Sequence, residues 1–176
     1  MRTSSRPRLF ALAALAAALL LPLAGCDSGG DRDGFNIGDY VGTYRGGFKG
    51  RSSFFGQTQT VDEAGTATFA KTGAGTVTLT FMNGASGPDA EPEAIPGTYD
   101  ENGMAFTLTD EDTGQRLPFT VNAAGEVEGS VALAEEGITG TLTVSGSLTP
   151  RRFVFRQELS SVPPLVGLDV TFDGKK

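Results

Sequence analysis

The chain has 176 residues, 39% of them apolar, 20% charged and 9% aromatic, with no Trp, no His and a single Cys. That length points to one domain, and 14 basic against 21 acidic side chains, a net of −7, argue against nucleic acid as a partner. One Cys excludes an intramolecular disulfide or a Cys-cluster metal site, and the missing His removes the commonest general base and metal ligand.

Met1 to Arg8 holds Arg2, Arg6 and Arg8 and no acid, and Leu9 to Leu21 follows as thirteen uncharged residues. That run is short of the ~20 apolar residues a spanning helix needs, and it fits the apolar region of a secretory signal. Pro22 then precedes the small-residue stretch Leu23-Ala24-Gly25-Cys26.

This stretch resembles the lipobox of bacterial lipoproteins. The resemblance implies that residues 1–25 are a cleaved signal peptide and that Cys26 is the site of lipid attachment. Cys26 would then be the mature N-terminus, anchored to a membrane of the cell envelope. Asp27 directly after it resembles an inner-membrane retention signal of some Gram-negative groups, whereas acidic runs at this place accompany surface export in others. The choice of membrane, and of periplasmic or surface side, therefore stays open. Acyl chains contribute ~0.8 kcal/mol per buried CH₂, so stable anchoring takes more than one chain. Without residues 1–25, the remaining 151 residues carry 11 basic and 21 acidic side chains, a net of −10. Such a domain is expected to be repelled by anionic lipid except through its anchor.

Residues 26–38 continue as the lipidated Cys and a Gly- and Asp-rich stretch that reads as a flexible tether. Asp31, Asp33 and Asn36 have some of the alternate spacing of a calcium loop, but Gly34 is misplaced and no closing Glu follows. From Asp39 the dominant period is two. Val77, Leu79 and Phe81 alternate with threonines, and Met104, Phe106 and Leu108 repeat the pattern. So do Leu117, Phe119 and Val121, then Val127, Val131 and Leu133, then Ile138, Leu142 and Val144. Alternation of this kind marks half-buried antiparallel strands. It predicts strands over 39–48, 51–61, 65–72, 75–82, 94–100, 103–109, 115–121, 126–134, 138–145 and 151–159.

Turns are expected at Gly65, Gly75, Gly103, Gly114, Gly125, Gly137 and Gly146, with Asn102-Gly103 the strongest hairpin signal. Their regular spacing suggests a sandwich or a barrel. Short links favour an up-and-down meander, since Greek keys need a long connection. Glycines inside strands, at Gly42, Gly46, Gly129 and Gly140, allow the coiling that closure demands or the close approach of another backbone. The longest break, Asn83 to Pro92, reads as a plain surface loop rather than a lid. The expected fold is all-β, an antiparallel meander closing into a barrel of about eight to ten strands over residues 39–159. In residues 160–176, Leu168, Val170 and Phe172 alternate with polar residues beyond Pro163-Pro164, so a short extra strand is expected there.

Gly42-Thr43-Tyr44 resembles the Gly-x-aromatic element in the first strand of lipocalin-like proteins, with Tyr where that family usually has Trp. Arg152-Phe153-Val154-Phe155-Arg156 resembles the family's late basic strand. The resemblance implies a cation–π contact from Arg152 or Arg156 to Tyr44.

Tyr44, Phe69, Phe81, Phe106, Phe119 and Phe155 are the residues that would line a barrel interior. They either face a small apolar or lipid-like ligand or simply fill the core. The acids offer no catalytic constellation: Asp110-Glu111-Asp112 and Glu135-Glu136 sit at turns, and Gly84-Ala85-Ser86-Gly87 lacks nucleophile-elbow spacing. No enzyme activity, catalytic residue, metal or cofactor is therefore expected, and the domain is expected to be monomeric. Two functions remain open. One is a barrel that binds a small hydrophobic molecule, the other an envelope protein that meets a protein or glycan through its outer face.

Overall fold

Because apolar and polar residues alternate almost without interruption, each stretch can pair only as a strand with one face turned inward. The computed structural model describes residues 35–84, 92–109, 114–135, 138–162 and 166–176. A single helical turn, α1 (Ile37–Tyr40), precedes ten strands. These are β1 (Gly42–Phe54), β2 (Gln57–Gly73), β3 (Thr76–Asn83), β4 (Glu93–Asp100), β5 (Gly103–Thr109), β6 (Arg116–Asn122), β7 (Glu126–Glu135), β8 (Ile138–Thr149), β9 (Arg152–Val162) and β10 (Val166–Lys175). Each strand pairs antiparallel with the next, and β1 pairs with β10, so the meander closes into a ten-stranded barrel. The expected fold class is the observed one.

Several expectations for individual elements need correction. The stretch expected to begin a strand at Asp39 starts instead with α1, whose N-cap Asn36 accepts a hydrogen bond from the Gly38 amide. Ile37, placed by sequence in the tether, is buried in the core, and Phe35 stacks on Tyr40 at a ring separation of 4.7 Å. The predicted strands 39–48, 51–61 and 65–72 are two long ones, β1 and β2, joined at Phe55-Gly56. Gly65 and Gly146 lie within strands, not at turns. A Cβ on Gly65 would run into the Phe48 ring, so the glycine serves close packing across the sheet.

The C-terminal segment is more than an appendage. β10 pairs along nine residues with β9 and ten with β1, from Arg45–Lys175 to Phe54–Val166. It therefore supplies the closing seam, and the barrel extends beyond residue 159. Gly46 stands at that seam, where an added Cβ would collide with the Asp173 carbonyl and Gly174. A hairpin forms there one residue earlier than expected, with Glu101-Asn102 as its loop, Gly103 opening β5 opposite Asp100, and Asp100 accepting a hydrogen bond from the Asn102 amide at 2.7 Å.

Candidate functional site

Inward positions follow from strand parity. On β1 the even positions Tyr44, Phe48 and Ser52 face in, and their register partners on β10 are Phe172 for Phe48 and Leu168 for Ser52. On β9 the odd positions Phe153, Phe155 and Leu159 face in. The two ends of the barrel are built differently.

At one end, α1 caps the opening. The Tyr44 hydroxyl donates to the Thr149 carbonyl at 3.0 Å and lies 3.2 Å from the Tyr40 carbonyl. Burial, with a smaller contribution from Tyr40, pushes the Tyr44 phenol up to about 12. Lys176 donates to the carbonyls of Asp39 and Val41, and its ammonium lies 5.8 Å from the Tyr44 ring centre. The cation over Tyr44 is thus Lys176. Arg152 and Arg156 occupy even positions of β9 and point outward, so they cannot reach an inward tyrosine. Arg152 instead holds Asp173 through two hydrogen bonds at 2.9 and 2.7 Å, and Arg156 holds Asp169 at 2.9 and 3.1 Å. These bonds raise both guanidinium values and hold both carboxyls below the ordinary carboxylate range.

All six aromatic residues expected inside are buried. They form one continuous path of ring contacts: Tyr44–Phe69 at 5.8 Å, Phe69–Phe106 at 6.1 Å and Phe106–Phe119 at 5.1 Å. The path continues through Phe119–Phe155 at 5.4 Å and Phe155–Phe81 at 5.3 Å. At such separations aromatic rings are in direct edge or face contact. Phe153, fully buried, sits among them and touches Tyr44, Phe69, Phe81, Phe155 and Phe172. In the sequence Phe153 stands within a basic motif, and its alternation with Phe155 is the signal that places it in the core.

At the other end β2 runs past β3, while β1 stays paired with β2 and β10 as far as Phe54. Among the described residues, β2 pairs with β3 only from Gly65 onward, so residues 57–64 have β1 alone as a strand partner. On the inner side of this extended wall Phe48, Phe54, Val61, Leu159, Leu168 and Val170 are only half-buried. The hairpin tip carries Phe55, with φ 46° and 55% exposure, edge-on to Phe54. Near the capped end, residues 98–100, 102–105 and 120–122 line an open groove of about 380 Å³ that contains one carboxylate, Asp100. Among the described residues no group of three or more His, Cys, Asp or Glu side chains could hold a metal ion. None of their helices is long and apolar enough to cross a membrane. Cys26, the loop over 85–91, Asp110-Glu111-Asp112, Glu136 and Gly137 lie outside the described residues.

No family model matches the chain, and no curated protein matches it. One solved structure that is similar is a mutant of the vaccine antigen Transferrin Binding Protein B from Haemophilus parasuis Hp5, at TM-score 0.41 and 13% identity. That likeness covers 81% of this chain, which spans 28% of the other chain's length.

Proposed function

We infer that this chain is a cell-envelope lipoprotein, anchored through lipid on Cys26, whose barrel is a non-catalytic monomeric scaffold that meets its partner through its surface. The observation that supports a scaffold is the aromatic interior. Tyr44, Phe69, Phe106, Phe119, Phe155 and Phe81 already form one chain of ring contacts, and Phe153 touches four of them, Tyr44, Phe69, Phe81 and Phe155. A ligand seated among them would have to displace rings, whereas small-molecule pockets are usually pre-formed, at ~300 Å³ or more.

Half-burial of Phe48, Phe54, Val61, Leu159, Leu168 and Val170 favours a second reading, an apolar or lipid-like ligand held at the uncapped mouth. Titration of the barrel with fatty acids and hydrophobic dyes separates the two. The scaffold reading expects no saturable fluorescence change; a saturable change lost in Leu159→Asn or Leu168→Asn establishes the mouth as a site. The anchor has its own test. Intact mass of the processed protein should show acyl groups on Cys26, and a mature species without them removes the lipoprotein reading.

A further inference from the structure

Charge is distributed very unevenly over this barrel. β9, β10 and β1 are adjoining strands, and together with Arg151 and Lys176 they hold eight of the eleven basic side chains that follow residue 25. The same stretch holds only three acids, Glu158, Asp169 and Asp173. These elements together sum to +5, with Lys49 paired to Asp62 of β2 at 3.4 Å and Lys176 turned into the cap, while everything else beyond residue 25 has three basic and eighteen acidic side chains.

The registers sharpen this. Arg45 lies opposite Lys175 on β10, and Lys175 lies opposite Arg152 on β9, which sets three cations in one row across three strands. Arg45, Lys175 and Arg152 are all exposed, with Asp173 alone hydrogen-bonded within the row. Like charges set directly opposite on one sheet face are unfavourable, so folding by itself does not account for the row. The row also lies at the capped end, where Lys176 binds the carbonyls of Asp39 and Val41 and where the chain enters at Phe35. Only eight residues lie between Cys26 and Phe35, nine steps that reach ~30 Å at ~3.3 Å each.

We propose that this basic face, centred on Arg45, Lys175 and Arg152, docks on the anionic headgroups of the membrane that holds the anchor, laying the barrel against the bilayer. The proposal rests on the lipoprotein reading for its geometry. Its local charge also revises the expectation that a domain of net −10 is simply repelled by anionic lipid, because attraction to headgroups falls off within a Debye length, ~10 Å at 0.1 M salt. A membrane surface thus responds to the face turned toward it.

The test uses residues 26–176 with Cys26→Ser, so no acyl chain contributes and failure of the anchor, read by intact mass, stays distinguishable. Flotation compares vesicles of phosphatidylcholine alone with vesicles containing phosphatidylglycerol. Binding is expected only to the second kind, and it should vanish near ~1 M salt, where screening shortens to ~3 Å. The combined variant Arg45→Gln, Arg51→Gln, Lys175→Gln should lose about tenfold or more in partitioning while keeping its melting temperature, since all three side chains are exposed. Absence of binding at low salt, equal binding to both vesicles, or an unchanged variant overturns the proposal. Salt-sensitive retention on heparin without vesicle binding also overturns it, and assigns the face to an acidic macromolecule instead.

Discussion

Tyr44 combines three constraints in one side chain: a ring packed edge-on to Phe69 and Phe153, a hydroxyl bonded to the Thr149 carbonyl, and an ammonium over its outer face. Tyr44→Phe keeps the ring and deletes the hydrogen bond, so a loss of about 1–3 kcal/mol is expected. Its pH signature is more specific. The folded-state value of about 12 lies above the ordinary 10.0, so between them the folded chain keeps a proton that the unfolded chain has released. Stability from this group is full below pH 10 and falls as pH rises toward 12. Denaturant titrations across that interval should show the decline, and Tyr44→Phe should flatten it. A decline of equal steepness in the variant would assign the effect to another group, Tyr40 included. Phe153 tests the core from its centre. Phe153→Ala empties a fully buried site among five rings and should cost about 3–5 kcal/mol in thermal or denaturant unfolding.

Among elements, the β1–β10 seam is decisive because it joins the two ends of the chain's meander. Gly46 makes close approach there feasible, its hydrogen lying where a Cβ would strike the Asp173 carbonyl and Gly174. Gly46→Ala therefore forces two backbones apart, and about 1–3 kcal/mol of destabilisation is expected by analogy with overpacked interiors. Hydrogen exchange gives a readout that global stability does not. Faster exchange should be concentrated in β1 and β10, and uniform acceleration would argue against a seam defect. On the outer side, Arg152–Asp173 and Arg156–Asp169 tie β9 to β10 with paired bonds. Such exposed pairs set register more than they add stability.

For the molecule as a whole, closure removes the two edges that an open ten-stranded sheet would present, and exposed edges template aggregation. A chain stopped at residue 159 lacks β10 and leaves β1 and β9 unpaired along that seam. It should fail to give a cooperative melt by circular dichroism and should elute as aggregate in size exclusion. A monomer with the melting temperature of the longer chain would show that closure is dispensable. The same global view explains why an acidic protein can present a basic face. Strands distant in sequence, β1 and β9–β10, become neighbours only when the barrel shuts.

Much of this was legible from residues alone, for a physical reason: a period of two leaves each side chain only two directions, so Val77, Leu79 and Phe81, or Phe106 and Phe119, had to face inward once any barrel formed. The all-β meander and the six buried aromatics follow from that local rule, whereas the number of strands agrees only because the three expected over 39–72 are two and β10 lies beyond residue 159. Signals that depend on what lies across the sheet were not legible. Gly65 and Gly146 look like turns, yet they make room for a ring and a carbonyl of other strands. The turn at Phe55-Gly56 has glycine at its second position, but Phe55 at φ 46° takes a conformation its side chain disfavours, and the sequence hides the turn there. The resemblance pairs Tyr44 with Arg152 or Arg156, but strand parity sends both outward and leaves Lys176 to approach from the capped end. Pattern along the chain determined which face each residue shows. Only closure, through the pairing of β1 with β10, decided which residues meet.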